Sequence, residues 1–246
     1  MNTVLQQLHD RKSVRVYEDR PLDAEVKQQI LAAAIQAPTA GNMTLYTILD
    51  ITDPEKKLAL SKSCDNQPFI ATAPMVLIFC ADYRRWYEVF KANCGQIRKP
   101  ALGDLLLAQA DTIIAAQNAV VAAESLGVGS CYIGDIIEHF EYHRELLNLP
   151  PYVVPAAMLC FGYPTAQQQQ RPKPPRFQVS DIVHENGYRP EDAAETMARM
   201  LSQRNGKEGE EFTQWLRRFC DFKWNSEFSQ EMSRSATELI TAWCND

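Results

Sequence analysis

Residues 102–129, LGDLLLAQADTIIAAQNAVVAAESLGVG, decide how this chain is organised. The stretch is Ala-rich, free of proline and apolar on nearly every side of a helical wheel. It predicts one long helix over about 102–126, closed by Gly127, that belongs in a core or at an interface. Gln109, Asp111, Gln117, Asn118 and Glu124 interrupt the apolar run and argue against a bilayer span. Gly127-Val128-Gly129-Ser130 follows a helix and precedes a strand, the reverse of the dinucleotide-binding order. It reads as a helix cap and turn.

Working outward, residues 128–133 and 154–161 read as buried strands, 45–51 as a further strand, and the continuously apolar 75–81 as a central one. A helix is expected over 23–37, with Asp23 as N-cap, Val26, Ile30, Ala33, Ala34 and Ala37 on one face, and Pro38 ending it. Asp53-Pro54-Glu55 opens another helix that ends near Cys64. Residues 166–177, with Gln and Pro runs, read as an irregular loop. Beyond Pro190 the chain turns helical and polar; Phe212, Trp215, Leu216, Phe219 and Cys220 form one apolar stripe, and Trp215, Trp224 and Trp243 are expected to be buried. The pattern is mixed α and β, with helices interleaved among four or five strands.

The 246 residues are 46% hydrophobic and 23% charged, the balance of a chain that folds around a core. A net charge of −6 argues against a general nucleic-acid binder but leaves room for a local basic pocket. Residues 1–8 lack the features of a signal peptide. Seven widely spaced cysteines with no C-x-x-C pair read as reduced thiols of a cytoplasmic protein.

The familiar catalytic signatures are missing: no G-x-G-x-x-G after a strand, no Walker A sequence and no G-x-S-x-G. His139 and His143 are four apart, but Phe140 stands where a zincin needs Glu. They are read as part of a solvated helix, and no metal site is expected. What remains is a site of basic side chains and backbone, which suits a cofactor that brings its own chemistry. Arg11-Lys12-Ser13-Val14-Arg15-Val16-Tyr17 offers cations and a hydroxyl matched to a phosphate monoester, although short basic runs are commonly solvated surface. Ala37-Pro38-Thr39-Ala40-Gly41-Asn42 is a turn of small residues that a flat ring can approach. The Gln67 amide can donate and accept toward a uracil-like edge. Tyr132-Ile133-Gly134-Asp135 ends a buried strand, and Arg171, Lys173 and Arg176 supply further cations.

In this order, the segments resemble the nitroreductase family of flavoproteins, within it the oxygen-insensitive NADPH nitroreductase and flavin reductase group. Arg11-Lys12-Ser13-Val14-Arg15 is similar to the family's opening R-R-S-x-R, and Ala37 to Leu45 to its A-P-S-x-x-N-x-Q-P. Asp111 to Gly129 resembles its central helix, and Cys160-Phe161-Gly162-Tyr163-Pro164 and Val183-His184-Glu185-Asn186-Gly187-Tyr188 follow. The likeness covers about residues 3–190. It implies an α+β fold with a central, mainly antiparallel sheet flanked by helices. It also implies FMN, NADPH or NADH as reductant, an intertwined homodimer with sites at the interface, and a small electron-poor acceptor: a nitroaromatic, quinone or flavin. The implied organisation is a core over 1–190 and a helical extension over 191–246 packed on the dimer. By position, Arg11, Lys12, Ser13, Val14, Arg15, Arg171 and Lys173 would cradle the phosphate, with Lys173 and Arg176 an equally good pair. Thr39, Gly41 and Gln67 would reach the ribityl chain and ring, and Tyr132, Ile133, Gly134 and Asp135 would lie along the isoalloxazine. Arg204 and Lys207 would meet the 2′-phosphate of NADPH, giving it a weak preference over NADH. A flavin-binding sensor, a reductive dehalogenase or an azoline oxidase on the same fold are the competing readings. Thr44-Leu45 in place of Gln-Pro and Asp135 in place of a second Gly are this chain's departures.

Overall fold

The computed structural model describes residues 1–188 and 192–246. The sequence boundary at 190/191 therefore lies outside the described residues. The described residues form two compact units, Met1–Arg171 with Glu231–Asp246, and Pro172–Gln230.

The first unit is built in the order α1 (Thr3–Asp10), α2 (Ala24–Ile35), β1 (Tyr46–Asp50), α3 (Pro54–Ser63), α4 (Pro68–Thr72), β2 (Met75–Asp82), α5 (Arg84–Asn93), α6 (Leu102–Ser125), β3 (Gly129–Ile133), α7 (Phe140–Leu146), β4 (Val153–Gly162) and α8 (Ala166–Gln170). The four strands form one sheet in the order β1-β2-β4-β3, every pair antiparallel. This is the α+β fold with an antiparallel central sheet. The short helices α4, α5 and α8 have no counterpart in the sequence reading; α8 occupies the first part of the expected 166–177 loop.

Strand alternation separates two cores. Val76, Ile78 and Cys80 of β2, with Met158 and Cys160 of β4, point toward Leu60, Cys64 and Ile70 of the α3–α4 region. Leu77, Phe79, Leu159 and Phe161 point the other way, onto Ile30 and Ala34 of α2 and the small residues Ala115, Ala116, Ala119 and Ala123 of α6. The alanines let α6 lie close to the sheet. β4 is central yet carries Pro155, which offers no N–H; the β2–β4 register shifts at that point. A third cluster closes one end of the sheet. It includes Trp243, whose Nε1 donates to Ala101 O at 3.1 Å. Trp243 is thus buried as expected, whereas Trp224 is 79% exposed and Trp215 half-buried.

The second unit holds α9 (Val179–Ile182), α10 (Ala193–Asn205), α11 (Gly209–Lys223) and the first residues of α12 (Glu227–Asn245), which ends in the first unit. On α11 the Phe212, Trp215 and Phe219 rings contact one another in sequence at 5.9 and 5.2 Å.

The reading of a solvated pair holds for His139, which is exposed, and is corrected for His143. His143 is fully buried on α7. Its Nδ1 lies 3.0 Å from Ile136 O and its Nε2 2.8 Å from Ser63 Oγ. A carbonyl can only accept, so Nδ1 carries the proton and Nε2 accepts from the Ser63 hydroxyl. Burial lowers the His143 pKa, with His139 adding to the effect against the pull of the Ile136 and Glu138 backbone. Below the unfolded value of about 6.5, the unfolded chain gains a proton that the native imidazole does not, so stability falls with pH. His143→Gln is expected to flatten the loss of urea midpoint between about pH 7 and 5, a slope of up to ~1.4 kcal/mol per unit. An equal slope in parent and variant would exclude this residue as its source.

Candidate functional site

Residues 13–17 run extended along the outer edge of β3. Val14 N donates to Ser130 O at 2.9 Å, with Ser13 bridging Ser130 in parallel, and Tyr17 bridges Pro164 beyond β4. Two glycines, opposite each other in the β3–β4 register, make room. A Cβ on Gly129 would sit 2.6 Å from Val14 Cγ2, and one on Gly162 2.7 Å from the Tyr17 ring. Tyr17 also donates through its hydroxyl to Val14 O at 2.9 Å. Burial pushes its phenol far above the ordinary range.

Because the segment is extended, alternate residues share a side. Arg11, Ser13 and Arg15 all act on the Cys131 thiol, whose pKa burial raises and these three groups lower. Arg11 likewise opposes the burial that pushes the Tyr132 phenol up to about 12. Lys12 is turned elsewhere. Its Nζ donates to Gln169 O at 2.6 Å and to Arg171 O, while Arg171 Nη2 donates back to Ser13 O. Lys12 thus fastens the 169–171 backbone, and Val14 fills the gap at Gly129. Arg11 Nη1, Arg171 Nε and Ser130 Oγ are buried without a hydrogen-bond partner among the described residues. Two buried guanidinium donors and a hydroxyl left this way call for an acceptor, and an anion such as a phosphate fits them. Arg15 is exposed and lines a hollow of about 560 Å³ with Tyr17, Arg20 and Lys57.

The turn after α2 is held by one buried carboxylate. Asp111 of α6, 4% exposed, accepts from the Thr39 hydroxyl and from Ala40 N at 3.1 Å. Thr39 Oγ in turn accepts from Thr44 N at 2.8 Å. The Thr39 hydroxyl is therefore committed to the loop. Gly41, Asn42 and Thr44 all have positive φ. For the β-branched Thr44 that conformation is strained, and the bonds from its N–H and to its carbonyl from Arg85 Nη2 hold it there.

Gln67, the residue before α4, is not a free surface amide. Its Nε2 donates to Cys64 O at 3.0 Å and to Asp135 Oδ2 at 2.6 Å, which leaves its carbonyl oxygen as acceptor. The structure thereby brings Gln67 together with the end of β3: Tyr132, buried Ile133, and the turn Gly134–Ile137 that carries Asp135. Lys173 and Arg176 belong to the second unit; Arg176 Nη1 bonds the Pro174 carbonyl of its own loop at 2.9 Å. Within that unit the Arg204 guanidinium lies 4.4 Å over the Phe177 ring, and Lys207 pairs with Glu211. Arg204 is in the last turn of α10, and Lys207 lies in the short connection between α10 and α11.

Residues 8–163 match the family model described as the nitroreductase family. The chain belongs to that family. It is 34% identical over 192 residues to an oxygen-insensitive NADPH nitroreductase of Salmonella typhimurium, covering 78% of this chain and 77% of that protein. It is 32% identical over 226 residues to an FMN reductase [NAD(P)H] of Bacillus subtilis, covering 87% and 89%. The solved structure of NfrA1 from B. megaterium superposes with a TM-score of 0.82 at 27% identity, over 99% of both chains.

For this nitroreductase-family chain, sequence reasoning missed Asp111 as a loop anchor and the Gly129–Gly162 pair. A carboxylate in the middle of an apolar, Ala-rich helix was a signal for the first. Gly129→Ala must displace Val14 and lift the 13–17 segment. We expect it to cost about 1–3 kcal/mol in the urea midpoint. Gly103→Ala, where a Cβ meets nothing within 4 Å and φ is not positive, is the control for a change of backbone freedom alone. Parent-like stability of Gly129→Ala would show that the edge is not closely packed.

Proposed function

We propose that the chain is an FMN-dependent NAD(P)H oxidoreductase acting on small electron-poor acceptors such as nitroaromatics, quinones or flavins. One observation carries the cofactor reading: Arg11, Arg171 and Ser130 each hold a buried polar atom with no partner among the described residues, in segments that the Ser13 contacts tie together. When bound, FMN supplies the two-electron chemistry by which a nicotinamide nucleotide is oxidised and the acceptor reduced. The chain's residues bind and orient. Arg11 and Arg171 hold the phosphate, with Ser13 and Arg15 on the same side. Arg171, tied to Ser13 and with an unpaired Nε, is the better placed second cation. Lys12 and Val14 keep the cradle in shape. The 39–44 backbone at Gly41, the Gln67 carbonyl and the backbone of Tyr132 to Asp135 line the ring. Asp135, fixed by Gln67, places an anion there that favours the oxidised, less negative flavin. No nucleophile or obligate acid is required.

The functional form is a homodimer. Leu106, Leu107, Ile113 and Ile114 on α6, and Val4, Leu5 and Leu8 on α1, are all more than two-fifths exposed in the single chain. Such a surface on a helix whose other side is core suits a second copy. Seven free thiols accord with a cytoplasmic location. Sedimentation at micromolar concentration should show a dimer; a monomer would remove the interface role of α6.

Purified protein should carry a flavin spectrum and oxidise NADPH with nitrofurazone or menadione. Arg171→Ala should weaken FMN binding to apoprotein by about tenfold or more, the loss of charge-assisted bonds worth ~1.5–3 kcal/mol. Flavin fluorescence quenching reads this directly, and unchanged affinity would move the phosphate elsewhere. Flavin binding without turnover would favour a sensor.

NADPH should be preferred over NADH by about fivefold in kcat/KM, through KM, if Arg204 meets the 2′-phosphate. Its stacking on Phe177 holds the guanidinium in place for that contact. Arg204→Ala should bring the ratio to about one; a high ratio that survives the change assigns the preference to another residue.

A further inference from the structure

Three carboxylates meet beside Gln67. Asp65 follows α3, Asp135 lies in the turn after β3, and Glu138 closes that turn. One carboxylate oxygen of each lies within 4.8 Å of the others, twice the roughly 2.4 Å typical of a Ca²⁺–oxygen bond. Acidic residues gather on many surfaces without consequence. Glu138 sets this group apart, because it is 1% exposed and its Oε1 has no hydrogen-bond partner among the described residues. A buried carboxylate facing two more carboxylates lacks the counter-charge that burial demands. Burial, then Asp65, Asp135 and Glu231, push Glu138 up to about 7, so every charged group acting on it is an acid. On the third side, Gln67 Nε2 grips Asp135 Oδ2, the kind of outer contact that fixes a ligating carboxylate in place.

We propose that Asp65, Asp135 and Glu138 bind one divalent cation of the oxygen-preferring class, such as Ca²⁺ or Mn²⁺. The set offers oxygen alone, which suits hard cations over zinc or copper. An exposed, an intermediate and a buried ligand give the ion a path in and a closed wall behind it. A bound cation would offset the Asp135 charge, so the effect on the flavin proposed above belongs to the ion-free protein; the metal assignment itself rests only on residues of the first unit.

The test is Mn²⁺ titration of the purified protein, with whatever cofactor it carries, followed by the loss of the free-ion electron paramagnetic resonance signal. One site per chain with a dissociation constant below about 1 mM is expected, displaced by Ca²⁺. Asp65→Asn, at an exposed position, and Glu138→Gln should each weaken binding by about tenfold or more. Far-UV circular dichroism and the melting temperature without Mn²⁺ establish that each variant is folded; if Glu138→Gln is not, Asp65→Asn alone decides. A parent that leaves the signal unchanged up to about 1 mM, or parent-like binding in a folded variant, overturns the assignment.

Discussion

The contact of Val14 and Tyr17 with Gly129 and Gly162 is the constraint on which the site depends. β3 is the edge of the sheet, and an edge strand leaves a row of backbone groups unpaired. The 13–17 segment covers that edge, and it can approach only because two facing positions on β3 and β4 carry no side chain. Once docked and extended, its alternation assigns the roles. Arg11, Ser13 and Arg15 face the Cys131 side, while Lys12 is spent on the carbonyls of the segment that delivers Arg171. A basic run that would be solvated surface in isolation becomes a cradle with orphaned donors.

The long helix α6 serves both core and site. Its alanines bring it onto the sheet, and from the same helix Asp111 reaches out to bind Thr39 and Ala40. A buried carboxylate is tolerated where several donors surround it. Those bonds hold a turn in which Gly41, Asn42 and Thr44 all take left-handed conformations. Strain of this kind persists only where the surroundings over-determine it. Here the surroundings are Asp111, Thr39 and Arg85.

Polar groups near the end of β3 show how poorly single residues advertise their environment. His143 was legible as half of a spaced pair on a helix, but its burial against Ser63 and Ile136 comes from α7 packing under α3. The metal question, asked of histidines, received a negative answer; the carboxylates that do converge are 70 and 73 residues apart in sequence from Asp65, with no spacing to reveal them. Gln67 read as an amide able to donate as well as accept toward a ring edge, and both its donors are taken.

By itself the sequence determined the main elements, because they rest on local physics. Apolar periodicity placed α2, α6 and the four strands within a residue or two, Pro54 and Gly127 marked a start and a stop, and ordered short motifs identified the family. The five-residue helices α4 and α8 escaped, since so few residues carry too little periodicity to separate a helix from a loop. Only the tertiary structure decided which cations face together, which hydroxyls are already taken and where a buried charge lacks a partner. Those properties depend on groups distant in the chain, Ser13 with Arg171, Thr39 with Asp111, Gln67 with Asp135, and long-range partners leave no local pattern in a sequence.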